Sequence, residues 1–228
     1  IHAYATVKMS AAISNNELNI LDSKKKNLIV KVCEEIHDGK HDSQFPLVIW
    51  QTGSGTQTNM NINEVISNRA HEINGGKLDD DEKIIHPNDH VNKSQSSNDT
   101  FPTSMNIACY KIIKELTLPA LKDLKITIEK KSRKFKKVVK IGRTHLMDAT
   151  PITLGQEFSA YMVQIENGIK RLENSLKRFL EIPIGGTAVG TGLNTPKNYD
   201  KIICKNISKF TGIKFFPSKN KFEGISSK

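Results

Sequence analysis

An apolar seam constrains this chain more than any other feature. Phe158, Met162, Ile165, Ile169, Leu172, Leu176 and Phe179 recur in steps of four and three. That spacing holds one stripe on one face of a helix for about six turns. A stripe of that length needs a partner along all of it, so the chain reads as part of a long-helix bundle. These side chains are core rather than a cofactor pocket. The helix start is written as Thr153-Leu154-Gly155-Gln156, a capping box in which the Thr hydroxyl and the Gln side chain serve orphan N–H groups reciprocally. No segment alternates at period two over a useful length, so the expected fold class is mainly α.

The rest of the chain is punctuated in the same way. Residues 15–37 predict one helix, with Leu18, Leu21, Leu28, Val32 and Ile36 inward and Asp38-Gly39 as its stop. Residues 60–73 predict another, ended by Asn74-Gly75-Gly76. Thr100 and Pro102 predict a helix start, and Leu118-Pro119 a kink further along the same helical region. Residues 183–196 read as a Pro/Gly/Thr-rich loop, and 198–211 as a final helix closed by Gly212.

Composition narrows the classes. No run of ~18 apolar residues is present, so no membrane-spanning helix is expected. No basic segment leads into an apolar stretch near Ile1, so no leader peptide is visible. Cys33, Cys109 and Cys204 form no C-x-x-C pair, which speaks against structural zinc or an iron–sulfur cluster and fits a reducing compartment. The net charge is +10, but only five of the 34 basic residues are arginine and aromatics are 6%. Nucleic-acid binders favour Arg forks and interleaved aromatics, so no nucleic-acid partner is expected.

Four segments are polar enough to carry chemistry. Gly53-Ser54-Gly55-Thr56 places hydroxyls between glycines, where backbone and side-chain donors can converge on an anion, although alone it reads as a plain surface loop. His86-Pro87-Asn88-Asp89-His90 is an Asx-type turn with two histidines but no third metal ligand, and His37/His41 share that lack. Ser94 to Thr100 sets hydroxyls and amides before a helix, as caps or as a carboxylate site. Gly142-Arg143-Thr144-His145 enters a loop that closes on the capping box, and histidine is the side chain suited to proton transfer near neutrality. Together these segments offer many neutral donors, one titrating group and few fixed cations. That set suits a small polycarboxylate whose charge grows in the transition state.

Four strings then make the chain resemble the class II fumarase family of the fumarase/aspartase superfamily. They are W-Q-T-G-S-G-T-Q-T-N-M-N-I-N-E-V-I-S-N-R-A from Trp50, H-P-N-D-H-V-N-K-S-Q-S-S-N-D-T-F-P-T from His86, G-R-T-H-L-M-D-A-T-P-I-T-L-G-Q-E-F from Gly142 and I-G-G-T-A-V-G-T-G-L-N from Ile184. The resemblance implies reversible hydration of fumarate to (S)-malate, as in the tricarboxylic acid cycle, with no cofactor and no metal. It implies His145 as the proton-handling residue. Ser54, Gly55, Thr56, Ser96, Ser97, Asn98 and Thr144 are implied as substrate contacts, and Asn194 as pocket support. His86, Pro87, Asn88 and Asp89 match the family's accessory dicarboxylate site, where Lys83 stands in place of a more usual Arg. His after Thr144, and Ser96-Ser97-Asn98, separate the chain from aspartate ammonia-lyase, the alternative within the superfamily. A helical assembly piece without activity is the alternative outside it.

The family's G-S-S-x-M-P-x-K-x-N loop is not found in the sequence, so the resemblance implies an internal piece of a longer enzyme. Residues 1–94 would be an N-terminal lyase domain whose start is missing. Residues 95–228 would belong to the central bundle, with its C-terminal part missing. The longer enzyme is expected to be a homotetramer acting on small dicarboxylates, located in the cytoplasm or, in a eukaryote, the mitochondrial matrix.

Overall fold

The computed structural model describes residues 1–227. In chain order the helices are α1 (His2–Glu17), α2 (Ser23–His37), α3 (Thr56–Ile73), α4 (Ser97–Ile112), α5 (Leu118–Lys134), α6 (Leu154–Phe179), α7 (Tyr199–Thr211) and α8 (Lys221–Ser226). The strands are β1 (Val139–Thr144), β2 (Met147–Thr153), β3 (Glu181–Ile182) and β4 (Phe216–Pro217). The chain is mainly α. It divides into two compact units, Ile1–Ala108 with Phe179–Lys228, and Cys109–Arg178.

In the first unit, residues 15–37 are not one helix. Asn19 takes a left-handed φ of 58°, and Asp22 then caps a new helix by accepting the Lys25 N–H at 2.9 Å. A carboxylate there satisfies a free donor of the new helix, so Leu18 and Leu21 fall in the connection. α1 itself was not legible. It buries Lys8, Ser10, Ser14 and Asn15 beside its apolar residues, so it carries no polar face for periodicity to detect.

Two cores explain this. One packs Tyr4 and Met9 of α1 with Ile29, Val32 and Ile36 of α2 and Ile62 and Ile66 of α3. The other packs Val7 and Ala11 of α1 with Ile107, Ile182, Ile184 and, from α7, Tyr199, Ile203 and Ile207. Each fully buried isoleucine contributes roughly 1.5–3 kcal/mol. Asn206 of α7 fixes the register of the second contact by donating to Ser14 Oγ at 3.0 Å. β3 and β4 pair in parallel beside it.

In the second unit, α5 and α6 run antiparallel, with Lys125 2.6 Å from Glu166 and the Phe135 and Phe158 rings 5.7 Å apart. Ile169 and Leu176 of the seam are buried, while Phe158, Met162, Ile165 and Leu172 are half-buried. The capping box forms as written: Gln156 Oε1 accepts the Thr153 N–H at 2.8 Å and Thr153 Oγ1 accepts the Gln156 N–H at 3.1 Å.

Two further readings are corrected, and the break at Leu118-Pro119 falls within a continuing helical region as expected. Pro102 lies inside α4, which begins at Ser97 rather than near Thr100. Pro119 sits at the start of α5, and the turn before it, Ile113–Thr117, widens to π geometry because proline lacks an N–H for the ladder. The segment from Val139 to Thr153 is not a loop but an antiparallel hairpin, with Arg143 opposite Asp148 and Thr144 opposite Met147. It escaped notice because most of its residues face solvent on both sides, which erases the alternation that marks a strand.

Candidate functional site

The first unit contains an open cleft of about 890 Å³, lined among others by Asn59, Asn92, Ser96, Ser97, Thr187 and Asn194. The start of α3, the loop into α4 and the 187–194 loop line it, and the loop before α3 lies alongside.

The first loop runs into α3. Gly55 sits at the helix N-cap with φ 68°, and a Cβ there would fall 2.1 Å from the Phe101 ring, so only glycine fits. This turn brings Ser54 Oγ to 3.1 Å from Thr56 Oγ1, and Thr56 Oγ1 to 3.4 Å from Ser97 Oγ.

The second loop runs into α4 and is a second capping box. Ser96 Oγ accepts the Asn98 N–H at 3.2 Å, and Asp99 Oδ1 accepts the Ser96 N–H at 2.9 Å. The other Asp99 oxygen accepts the N–H groups of Gly185 at 3.0 Å and Thr187 at 2.9 Å. Asp99 thereby ties the second loop to the third, the Gly-rich stretch of 184–194. Asn98 Nδ2 adds a bond to the Ala188 carbonyl at 2.7 Å. Burial raises the Asp99 carboxyl to about 6, against the pull of its three N–H donors.

The structure therefore brings Ser54, Gly55 and Thr56 together with Ser96, Ser97 and Asn98. The predicted accessory segment opens on the same cleft through Asn88 and Asp89. His86 Nδ1 accepts the Asn88 and Asp89 N–H groups at 3.3 and 3.2 Å. Lys83 donates to Asn68 of α3. Among the described residues no three metal-ligating side chains cluster, and no helix is long and apolar enough to cross a membrane.

Thr144 and His145 belong to the second unit. Both are exposed at the tip of the β1–β2 hairpin. His145 and Leu146 form its two-residue turn with φ of 54° and 63°. Such a turn favours Asn-Gly, and a His-Leu pair holds left-handed backbone at a cost.

Lys8, beneath the cleft, was missed by sequence reading, as was its link to Asn59, Asn92 and Gln95 of the lining. Lys8 of α1, fully buried, donates to Asn59 Oδ1 at 2.7 Å, Asn92 Oδ1 at 2.9 Å and Gln95 Oε1 at 3.1 Å. Burial pushes its ammonium down to about 7, partly opposed by the charge of Asp99. The one available signal is a lysine set among small and apolar residues, Thr6-Val7-Lys8-Met9-Ser10-Ala11-Ala12.

A cleft lined mostly by hydroxyls and amides on a helical scaffold agrees with what the chain matches. The family described as Lyase matches residues 1–228, and the chain belongs to that lyase family. Within it, the chain resembles class II fumarate hydratases. It is 58% identical over 227 residues to "Fumarate hydratase class II" of Pasteurella multocida, covering 100% of this chain and 49% of that protein. It is 55% identical to "Fumarate hydratase, mitochondrial" of Saccharomyces cerevisiae, covering 46% of that protein. The class II fumarase structure from Schistosoma mansoni superimposes with a TM-score of 0.92 at 42% identity, over 98% of this chain and 50% of that one. The chain thus spans about half the length of the curated relatives it matches.

Proposed function

We propose that the protein to which this chain belongs is a fumarate hydratase, interconverting fumarate plus water and (S)-malate without metal or organic cofactor. The observation that carries this reading is the approach of Thr56 Oγ1 to Ser97 Oγ, 3.4 Å apart, beside a cleft lined mainly by neutral donors. Such donors stabilise the second charge that develops on a carboxylate when the carbon beside it loses a proton. In the malate-to-fumarate direction that C–H breaks, its electron pair forms the double bond, and the hydroxyl leaves with a proton as water. Thr144 contacts the substrate and His145 handles a proton. The complementary base comes from the family's G-S-S-x-M-P-x-K-x-N loop, elsewhere in the longer protein. The relatives' names, and His145 where aspartases carry Gln, favour water over ammonia as the group added.

The longer protein is proposed to be a homotetramer serving the tricarboxylic acid cycle, in the cytoplasm or the mitochondrial matrix. His86, Pro87, Asn88 and Asp89 bind a second dicarboxylate that takes no part in the chemistry. Absorbance at the fumarate band tests the set in the full-length protein. His145→Asn should lower kcat by roughly 10²–10⁴, and His86→Asn should leave it within about twofold of the parent. A parent without fumarate turnover would end the proposal. Equal losses in the two variants would reverse the roles of the sites.

A further inference from the structure

Among the described residues, Lys8 is the one buried lysine. Its three ammonium hydrogens meet three oxygens, and all three are neutral amides. No carboxylate touches it. Asp99 acts on it through space only, with both oxygens already engaged by the N–H groups of Ser96, Gly185 and Thr187. Asn59, Asn92 and Gln95 all line the cleft, so the cation lies one side chain below the cleft floor.

The same three amides hold the loop that leads to Ser96. With their oxygens turned to Lys8, their NH₂ groups face the chain: Asn59 Nδ2 donates to Asn92 Oδ1 at 3.3 Å, and Gln95 Nε2 donates to the carbonyls of Val91 and Lys93 at 3.0 Å each. Around this floor the cleft lining is mostly hydroxyl and amide, with Asp89 and Lys93 its charged members.

We propose that Lys8 is a positioning residue for a dianionic ligand: it fixes the loop that presents Ser96 and Ser97, and it supplies from below the positive charge that the neutral donors lack. This rests on reading the cleft as a dicarboxylate site. A buried charge bound only to neutral groups acts at a distance more strongly than a solvated one, because little water lies between it and the ligand. The groups facing Lys8 are Asp99 from α4, Cys33 from α2 and the Tyr4 ring, whose centroid is 5.7 Å away. Burial raises both Cys33 and Tyr4 above their ordinary values, so both are neutral near pH 7.

The test uses the full-length protein and succinate, a dicarboxylate that cannot be hydrated. Lys8→Gln keeps a donor and removes the charge; Lys8→Arg keeps the charge. Calorimetry should show succinate affinity at pH 6 about tenfold weaker in Lys8→Gln, with less weakening on going to pH 8.5 than in the parent. Lys8→Arg should bind at pH 8.5 at least as well as the parent. With fumarate, Lys8→Gln should raise KM about tenfold and leave kcat within about threefold. A purely structural role would instead lower kcat and affinity together and would leave the pH dependence in place. Lys8→Gln binding succinate within twofold of the parent at pH 6 overturns the proposal. If neither variant is soluble, the parent carrying lysine labelled at the ε-carbon decides: one signal must titrate near neutrality and move to higher pH with succinate, and its absence or immobility overturns the proposal. A parent that binds succinate but does not hydrate fumarate removes the proposed activity and leaves the Lys8 assignment intact.

Discussion

Asp99 shows how one buried side chain can set the shape of a cleft. Its oxygens accept N–H groups from Ser96, Gly185 and Thr187, residues on two loops far apart in the chain. Asp99→Asn turns an amide NH₂ towards backbone donors in a buried place, at a cost of about 3 kcal/mol. The expected outcome is a melting temperature lower by roughly 6–12 °C, with weaker dicarboxylate binding; an unchanged melt would show that the two loops hold their places without it. Glu35 makes a different pair of contacts, 2.8 Å from Arg69 Nε and 2.8 Å from His41 Nε2. The Arg69 guanidinium chiefly, with His41, holds its carboxyl well below the usual carboxylate range, at about 2. A carboxyl lowered on folding stabilises fully above the unfolded value near 4.5 and loses that contribution as pH falls towards 2. Urea midpoints measured against pH should therefore fall less steeply over that interval for Glu35→Gln than for the parent, and parallel curves would discard the assignment. Ser54–Thr56 and Ser96–Asn98 stood out in the sequence because hydroxyl and amide runs before helices can serve as caps or as anion donors. Lys8 and the tying role of Asp99 did not, because each depends on partners remote in sequence: the Asn59, Asn92 and Gln95 amides for Lys8, and the Gly185 and Thr187 N–H groups for Asp99.

At the scale of elements, the second unit was the most legible and also held the largest miss. The seam and its capping box were read as the structure has them, since both signals lie within one helix. Thr153→Ala should remove the cap and cost about 1 kcal/mol. Gly155→Ala should cost more, because the added Cβ would fall 2.6 Å from the Ser132 carbonyl oxygen and 2.7 Å from the Lys136 Cα, both backbone atoms that cannot swing aside. Chemical denaturation of the two variants ranks them, and a milder effect at position 155 would show that α5 and α6 are free to separate. The hairpin was missed because a largely exposed ribbon offers no hydrophobic alternation, and its His-Leu turn lacks the Asn-Gly signature. Leu146→Gly should stabilise the hairpin by roughly 1 kcal/mol, since glycine takes a positive φ without strain. Slower amide exchange along β1 and β2 in that variant would register the gain.

At the scale of the whole molecule, the division at 94/95 follows a change of sequence character, whereas the compact units exchange within one helical region near residue 108 and again near 178. The first describes a proposed organisation of the longer protein, the second the packing of this chain. Large apolar side chains remain outside both cores: Ile49 is 92% exposed, Trp50 91% and Leu146 95%. Apolar surface of that kind is a feature of interaction sites. The chain by itself is therefore expected to self-associate in light scattering and to leave fumarate untouched; a monodisperse, active monomer would refute both expectations. The pairing of α1 with α7 has a consequence for synthesis on the ribosome. Ser14 and Asn206, which hydrogen-bond across that contact, are separated by 192 positions. At ~5–20 residues per second, α1 emerges roughly 10–40 s before the helix that covers its second face. During that interval Val7 and Ala11 lack their final surroundings, so the nascent segment is a natural client for a chaperone that shields small apolar helices until translation is complete.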